Sequence, residues 1–272
     1  MKRISTITKH FHEEFQSHTY SMIDKTRKVF IASCAGSDHL GAKTNEDCCG
    51  LRANSICLCD GHGPSGGLIS AFTCNKILDY KGVDETAAAN NAQLSIAKTF
   101  GERARFSGCT GVWVRREENC LVVSNVGDSR CVVVNKTGEI IFETRDHKPD
   151  DEIERRRIEG TGRKITETSA YDVARIGGLA LSRSFGDFAA RKYGIVGNPD
   201  IERIPLSSID FVVLGSDGIW DVASSKEVVE YINIYKTRES FVVDLVQICV
   251  SRWMEGTGKM YCDDVTMAVW LF

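Results

Sequence analysis

Three times in this chain an apolar, strand-like run meets an aspartate. Ile56 to Cys59 runs into Asp60-Gly61-His62, Phe211 to Leu214 leads through Gly215-Ser216 to Asp217-Gly218, and Asp263-Asp264 opens the run from Val265 to Phe272. A fourth acidic pair, Glu46-Asp47, precedes the run that leads to Asp60. Carboxylates at strand ends are held by rigid elements, which is what a fixed constellation needs. Each alone is ordinary, because Asp-Gly is a common turn dipeptide and Asp closes strands through local hydrogen bonds. Together they carry more weight. No Lys or Arg is a close sequence neighbour of Asp60, Asp217, Asp263 or Asp264, and converging like charges cannot all stay ionised without a compensating cation. Hard oxygen ligands without paired His or Cys select Mg²⁺ or Mn²⁺ over zinc.

The elements that must hold these groups follow from periodicity. Apolar, β-branched runs at 28–36, 55–63, 111–140, 210–218 and 263–272 are punctuated by Gly, Asn and Asp and predict strands, several joined by hairpins. The Asn125 to Arg130 run (NVGDSR) reads as one such hairpin turn. Residues 66–80 set Leu68, Phe72 and Ile77 near one helical face, 85–104 carry Leu94, Ile96 and Phe100, and 238–254 repeat Phe241, Leu245, Ile248 and Trp253. Ser224 with Glu227 has the spacing of a capping box. Asp146-His147-Lys148-Pro149 reads as the start of a helix through Pro and acidic residues in its first turn, and Arg155, Arg156 and Arg157 as its solvated face. Strands dominate and helices come in pairs, so an α+β layered fold is expected in place of a doubly wound parallel sheet.

The composition sets the class. The 272 residues carry 37 acidic and 34 basic side chains, a formal charge of −3, with 42% hydrophobic and 26% charged residues, ordinary values for a folded globular chain. No dense basic stripe exists to track a phosphate backbone, so a nucleic-acid partner, and with it a phosphodiesterase or nuclease, is disfavoured. No run approaches the ~20 apolar residues of a membrane span. An odd count of 11 Cys, including the adjacent Cys48 and Cys49, does not suit an extracellular disulfide framework. It points to a reducing compartment, cytoplasmic or nuclear. Residues 1–27 read as a polar N-terminal arm, and 28–272 as one domain, expected to act as a monomer.

The motifs occur in the order NED (Asn45 to Asp47), CDGHG (Cys59 to Gly63), GCTG (Gly108 to Gly111), NVGDSR (Asn125 to Arg130), DHKP (Asp146 to Pro149), GGLALSRSFGD (Gly177 to Asp187), GSDGIWDV (Gly215 to Val222) and DDVTMAV (Asp263 to Val269). In them the sequence resembles the metal-dependent Ser/Thr protein phosphatases of the PP2C (PPM) family. The resemblance implies an αββα sandwich, two antiparallel sheets flanked by pairs of helices, with two Mg²⁺ or Mn²⁺ ions at one end and phosphoproteins as substrates. It implies that Asp60 bridges both ions, the Gly61 carbonyl joins one, Asp217 and Asp263 hold the other, and Glu46 and Asp47 complete the shell. Asp128, Asp187 and Asp221 would serve a weaker third ion, and His62 would protonate the departing Ser or Thr oxygen.

Two departures from the family pattern bear on activity. Where the family usually carries a phosphate-binding Arg four residues before the Glu, this chain has Ala42. The adjacent Lys43 is the candidate replacement, although an ammonium lacks the bidentate fork of a guanidinium. Asp264 stands where the family has Asn, which leaves both Asp263 and Asp264 as candidate ligands. These departures motivate an alternative, a pseudophosphatase that keeps the fold as a binding or scaffold module.

Overall fold

The structure is a computed structural model that describes residues 19–39, 41–166 and 173–272. Its helices are α1 (Gly66–Asp79), α2 (Glu85–Phe100), α3 (Glu152–Glu159), α4 (Asp217–Trp220), α5 (Ser225–Tyr235) and α6 (Phe241–Gly256). Two larger sheets carry the fold. The first is six-stranded, in the order Thr19–Asp24, Val29–Cys34, Val265–Leu271, Ile209–Gly215, Arg130–Asn135, Ile140–Glu143. The second is five-stranded, in the order Asp200–Pro205, Cys120–Val126, Gly111–Arg116, Ser55–Cys59, Cys48–Arg52. Every neighbouring pair in both is antiparallel.

The central strands are β-branched and buried on both faces because each sheet has a neighbour on either side. Val133, Val212 and Leu214 of the first sheet meet Leu58, Val114 and Val123 of the second in the layer between them. Val132, Val213 and Met267 face the other way, onto α5 and α6, while Cys57, Cys59 and Trp113 face α1 and α2. The αββα sandwich expected from the sequence is the architecture observed.

Four local expectations need correcting. The strand Thr19–Asp24 lies inside the expected polar arm and pairs along its whole length with Val29–Cys34, from Thr19 opposite Cys34 to Asp24 opposite Val29. Sheet edges accept half-polar strands, which hid it; residues 1–18 lie outside the described residues. The NVGDSR run is not a hairpin turn: Cys120–Val126 belongs to the five-stranded sheet and Arg130–Asn135 to the six-stranded one, so the chain crosses between sheets at Gly127 to Ser129. In α1 and α2 the buried stripe consists of Ile69, Thr73, Cys74 and Ile77, then Ala88, Ala89, Ala92 and Ile96, while Leu68 and Leu94 are exposed. Small side chains there let the helices lie close to the sheet. In α6, Ile248 is likewise at the surface and Cys249 is buried. The Ser224 capping box forms as expected, with both reciprocal hydrogen bonds.

Candidate active site

The strands that deliver the acidic groups come from both sheets and end on the same side of the sandwich. Asp60 follows Ser55–Cys59 in one sheet; Asp217 follows Ile209–Gly215 and Asp264 precedes Val265–Leu271 in the other. Thr110, from GCTG, clamps Asp60: its hydroxyl accepts from the Asp60 amide at 3.0 Å and its own amide donates to the Asp60 carbonyl at 2.8 Å. The same hydroxyl shares a 2.6 Å hydrogen bond with Ser129 of NVGDSR. Two glycines are required by close approach. A Cβ on Gly108 would fall 2.1 Å from Asp187 Oδ2, and one on Gly218 2.1 Å from the Asp264 carbonyl oxygen.

Burial pushes Asp60 well above the ordinary carboxylate range, and the fields of Asp47, Asp128 and Asp263 push it further. Asp217 is raised for the same reasons, by burial and then by Asp60, Asp128 and Asp263. Asp47 is raised by burial and by Asp264; its Oδ2 accepts from the Ser216 hydroxyl at 2.8 Å, and its Oδ1 is buried without a hydrogen bond. Glu46 and Asp221 are also raised, burial leading in each case. Glu46 is fastened to α1, accepting from the Gly67 amide at 3.3 Å on Oε1 and from the Ser70 hydroxyl on its carbonyl.

Asp263 and Asp264 have different partners. Asp264 Oδ1 accepts from the Gly36 amide at 2.6 Å and Oδ2 from the Glu46 amide at 2.8 Å, so both its oxygens brace backbone. Asp263 Oδ1 accepts from Lys43 Nζ at 3.3 Å and Oδ2 from the Tyr261 hydroxyl at 2.9 Å, both at the partly exposed mouth of the site. The Lys43 ammonium lies 5.0 Å from the centre of the Tyr261 ring. Burial works against its charge, but Asp263 and Asp264 outweigh burial and hold it ionised.

His62 Nε2 is 2.7 Å from Asp187 Oδ2. Burial lowers the affinity of the imidazole for a proton, but Asp187 more than offsets this and the net shift is upward. Asp187 is itself buried at a backbone φ of 48°, an uncommon conformation for a residue with a side chain. The trio Asp128, Asp187 and Asp221 is therefore divided: Asp187 serves His62, while Asp128 accepts from Lys148 Nζ, an ammonium that also feels Asp217 and Asp221.

Lys148 is the site residue that the sequence reading missed. The DHKP run does not open the helix; Asp151 caps α3, accepting from the Ile153 and Glu154 amides. The run instead turns tightly, the Lys148 amide donating to the Asp146 carbonyl at 3.0 Å, with its lysine reaching Asp128. His147, fully buried beside it, accepts from the Gly127 amide at 3.0 Å on Nδ1 and pairs with Asp200 at 3.2 Å through Nε2. The run's presence among the matching motifs, and not its local propensity, was the available signal. Arg157 also departs from the solvated face expected of it, donating to Glu154 Oε2, to the Gly194 carbonyl and to the Ser182 carbonyl.

The residues present suit divalent cations by chemistry. The donors are hard carboxylate oxygens, one of them buried and unpartnered, and burial with mutual repulsion makes their ionisation costly until positive charge arrives. Among the described residues no three His, Cys, Asp or Glu side chains already close on one point as a ligand set. What they share is a common field.

An antiparallel αββα sandwich with a carboxylate-lined end formed by both sheets defines the class, and comparison with known proteins gives the family. The family model described as "Protein phosphatase 2C" matches residues 65–251. "Probable protein phosphatase 2C 65" of Arabidopsis thaliana is 32% identical over 252 residues, 77% of this chain and 66% of that protein. "Probable protein phosphatase 2C 11" of the same plant is 38% identical over 150 residues, 55% of this chain and 37% of that protein. The chain thus spans two thirds or less of the length of these two relatives. Among solved structures, a serine-threonine phosphatase 2C from Toxoplasma gondii superposes with a TM-score of 0.67 over 98% of both chains at 17% identity, which bears on the fold alone. The chain belongs to the protein phosphatase 2C family.

Proposed function

We propose that this protein removes phosphate from phosphoserine and phosphothreonine in protein substrates, acting as a monomer in a reducing cytoplasmic or nuclear compartment with two Mg²⁺ or Mn²⁺ ions bound. The observation that carries the reading is the set of half-buried carboxylates, Asp60, Asp217 and Asp47, whose ionisation the protein's own charges oppose. Asp60 would be shared between the ions, with Gly61, Asp217, Asp263, Glu46 and Asp47 as further ligands. Asp264, with both oxygens on backbone amides, braces the loop that carries Glu46 and leaves the ligand role to Asp263. Bound there, such cations supply the Lewis acidity that activates water and offsets charge on the phosphoryl group.

The rest of the chemistry belongs to the chain. His62, held at Nε2 by Asp187 and biased toward its protonated form, keeps a proton at Nδ1 for the departing Ser or Thr oxygen. Lys43 offers a positive charge at the mouth of the site, where a substrate phosphate would draw it from Asp263. Lys148 moderates the charge on Asp128 and is the internal rival of any third cation there.

A second reading has one observation in its favour. Both oxygens of Asp263 are already engaged, by Lys43 and Tyr261, as in a fold retained for binding without turnover. One experiment separates the two: phosphate release from a phosphothreonine peptide with Mn²⁺, with and without EDTA, in wild type and Asp60→Asn. Metal-dependent release lost in the variant supports the enzyme, and no release under any condition leaves the binding module.

A further inference from the structure

At one side of the sandwich the layer between the sheets opens to solvent. Ile140–Glu143 is the outermost strand of the six-stranded sheet and Asp200–Pro205 that of the five-stranded one, and residues of both line a slot of about 440 Å³. Val123 forms its floor and Phe142 one wall, both packed in the apolar layer between the sheets. Asn125, two residues beyond Val123 and so on the same face of its strand, also lines the slot and is fully buried. Its amide nitrogen is committed, donating to the Gly127 carbonyl at 3.1 Å and the Arg145 carbonyl at 3.2 Å. Its Oδ1 has no hydrogen-bond partner. A buried acceptor left unpaired is costly, so the slot calls for a donor.

The charges around the slot are unevenly paired. Asp200 is held by Arg183 at 2.7 Å and by His147 and Arg145, each at 3.2 Å, and Glu143 by Arg130 at 2.9 Å. Arg145, the cation lining the slot, is turned to Asp200 and Asp151. Glu202 differs: among the described residues its carboxylate has no cation partner and accepts from the Arg203 amide alone, at 3.2 Å. It stands directly opposite Val123, hence diagonally across from Asn125 on the same face of the sheet. A cationic donor on an apolar stem satisfies Asn125 and Glu202 together while its stem lies against Val123 and Phe142. A guanidinium presents several donors in a planar fork and can serve two acceptors at once, where an ammonium is a point charge.

We propose that the slot is a docking subsite for an arginine of the phosphoprotein substrate, presented by an extended segment that lies along the rim strands. Each rim strand ends its sheet, so its outer backbone edge has no strand partner. Ile140 and Ile141 on one and Ile201 on the other are exposed. An extended polypeptide pairs with such an edge and covers such side chains, with alternate residues turned into the pocket. The path continues toward the acidic site. Glu143, Thr144 and Arg145 also line a second, more open cavity that reaches Lys148, whose ammonium holds Asp128. That the docked polypeptide is a substrate rests on the phosphatase reading; the binding of an arginine-bearing strand does not.

The test uses the whole chain in EDTA, where no turnover occurs, and a fluorescein-labelled peptide, Val-Thr-Arg-Thr-Val, followed by anisotropy. The same peptide with norleucine for arginine is the control, and free arginine the competitor. The arginine peptide should bind at least about tenfold more tightly than the norleucine one, the worth of a hydrogen bond to a charged group. Glu202→Gln, at an exposed position, should remove most of that preference. In isotope-labelled protein the arginine peptide should move the Asn125 side-chain amide signals and the backbone amides of 140–145 and 200–205. Equal affinity for the two peptides, a preference kept in Glu202→Gln, or signals moving elsewhere overturns the proposal. So does free arginine binding as tightly as the peptide, which makes the slot a small-molecule site. With Mn²⁺, a phosphothreonine peptide extended by the arginine segment should show a lower KM than its norleucine counterpart at the same kcat. Equal KM values overturn the substrate role. Phosphate release without a preference for arginine removes the docking subsite and leaves the phosphatase reading standing. Arginine-dependent binding without phosphate release removes the substrate role and leaves a binding module.

Discussion

Two groups of carboxylates among the described residues are withdrawn from solvent, one partly and one fully, and they are shifted in opposite directions. At the end of the sandwich, Asp60, Asp217 and Asp47 are held above the ordinary range by burial and by one another. Glu154 of α3 is more deeply buried than these three, and burial again disfavours its charge, yet it is held down at about 2 because Arg183, Arg157 and the Ser182 hydroxyl all donate to it. Arg183 also bonds Asp200 at 2.7 Å, and Asp200, lowered chiefly by its hydrogen bond from His147, leads on to the Gly127 turn. In both clusters burial opposes ionisation; they differ in where the positive charge comes from. The Glu154 network carries its own and is structural. Among the described residues the Asp60 cluster has Lys43, Lys148 and His62 at its margins, and on the proposed function the rest of its positive charge would come from cations in solution.

The largest break in that comparison is Asp60→Asn. If Asp60 is shared between two ions, its loss removes several kcal/mol of charge stabilisation, roughly 10³-fold in kcat/KM with Mn²⁺. Without metal the same change relieves repulsion, so the variant should unfold at a higher urea concentration than wild type in EDTA. A variant equally active, or less stable in EDTA, would contradict the role assigned. Glu154→Gln should do the reverse. It leaves Arg183 poorly paired in the interior and should cost about 3 kcal/mol by urea unfolding, with or without metal. Its pH signature has a definite sign. A carboxylate depressed to about 2 contributes stability that is complete above its unfolded value near 4.5 and is lost as pH falls toward 2. Wild type should lose that increment between those limits and Glu154→Gln should not. Next in size is metal itself: at 100 times its Kd, Mn²⁺ should stabilise wild type by about 2.7 kcal/mol, and Asp60→Asn by much less.

The two clusters were unequally legible in the sequence. Asp60, Asp217 and Asp263 announce themselves because each sits beside the start or the end of a strand, and the apolar strand runs are strong. Lys148 and His147 do not, because the chain around them belongs to no helix or strand and takes its partners from residues 20 to 53 positions away. The Glu154 network was hidden for the same reason, Arg157 being indistinguishable locally from a solvated helix face and Arg183 lying 29 residues away along the chain. The fold class followed from the strands, but the crossing at NVGDSR did not, since a turn between two sheets has the same Gly-Asp chemistry as a hairpin. Asp264 was readable as an acid and not as a brace; only the amides of Gly36 and Glu46, brought to its two oxygens, separate it from Asp263.

The finest contrast between the clusters lies in Lys43. Arg183 is locked into its network by Glu154 and Asp200 together, whereas Lys43 holds Asp263 by one 3.3 Å contact at a partly exposed position and shares it with Tyr261. A cation held that loosely can leave one anion for another, and a substrate phosphate carries more charge than a carboxylate. Lys43→Ala should therefore raise KM for a phosphothreonine peptide while lowering kcat much less. A hydrogen bond to a charged group is worth about 1.5 to 3 kcal/mol, so the rise should be roughly tenfold, and smaller at high salt, where an exposed pair is screened. If KM stays at the wild-type value, Lys43 does not stand in for the guanidinium missing at Ala42, and its contact with Asp263 is instead a fixed part of the scaffold, like the contacts of Arg183.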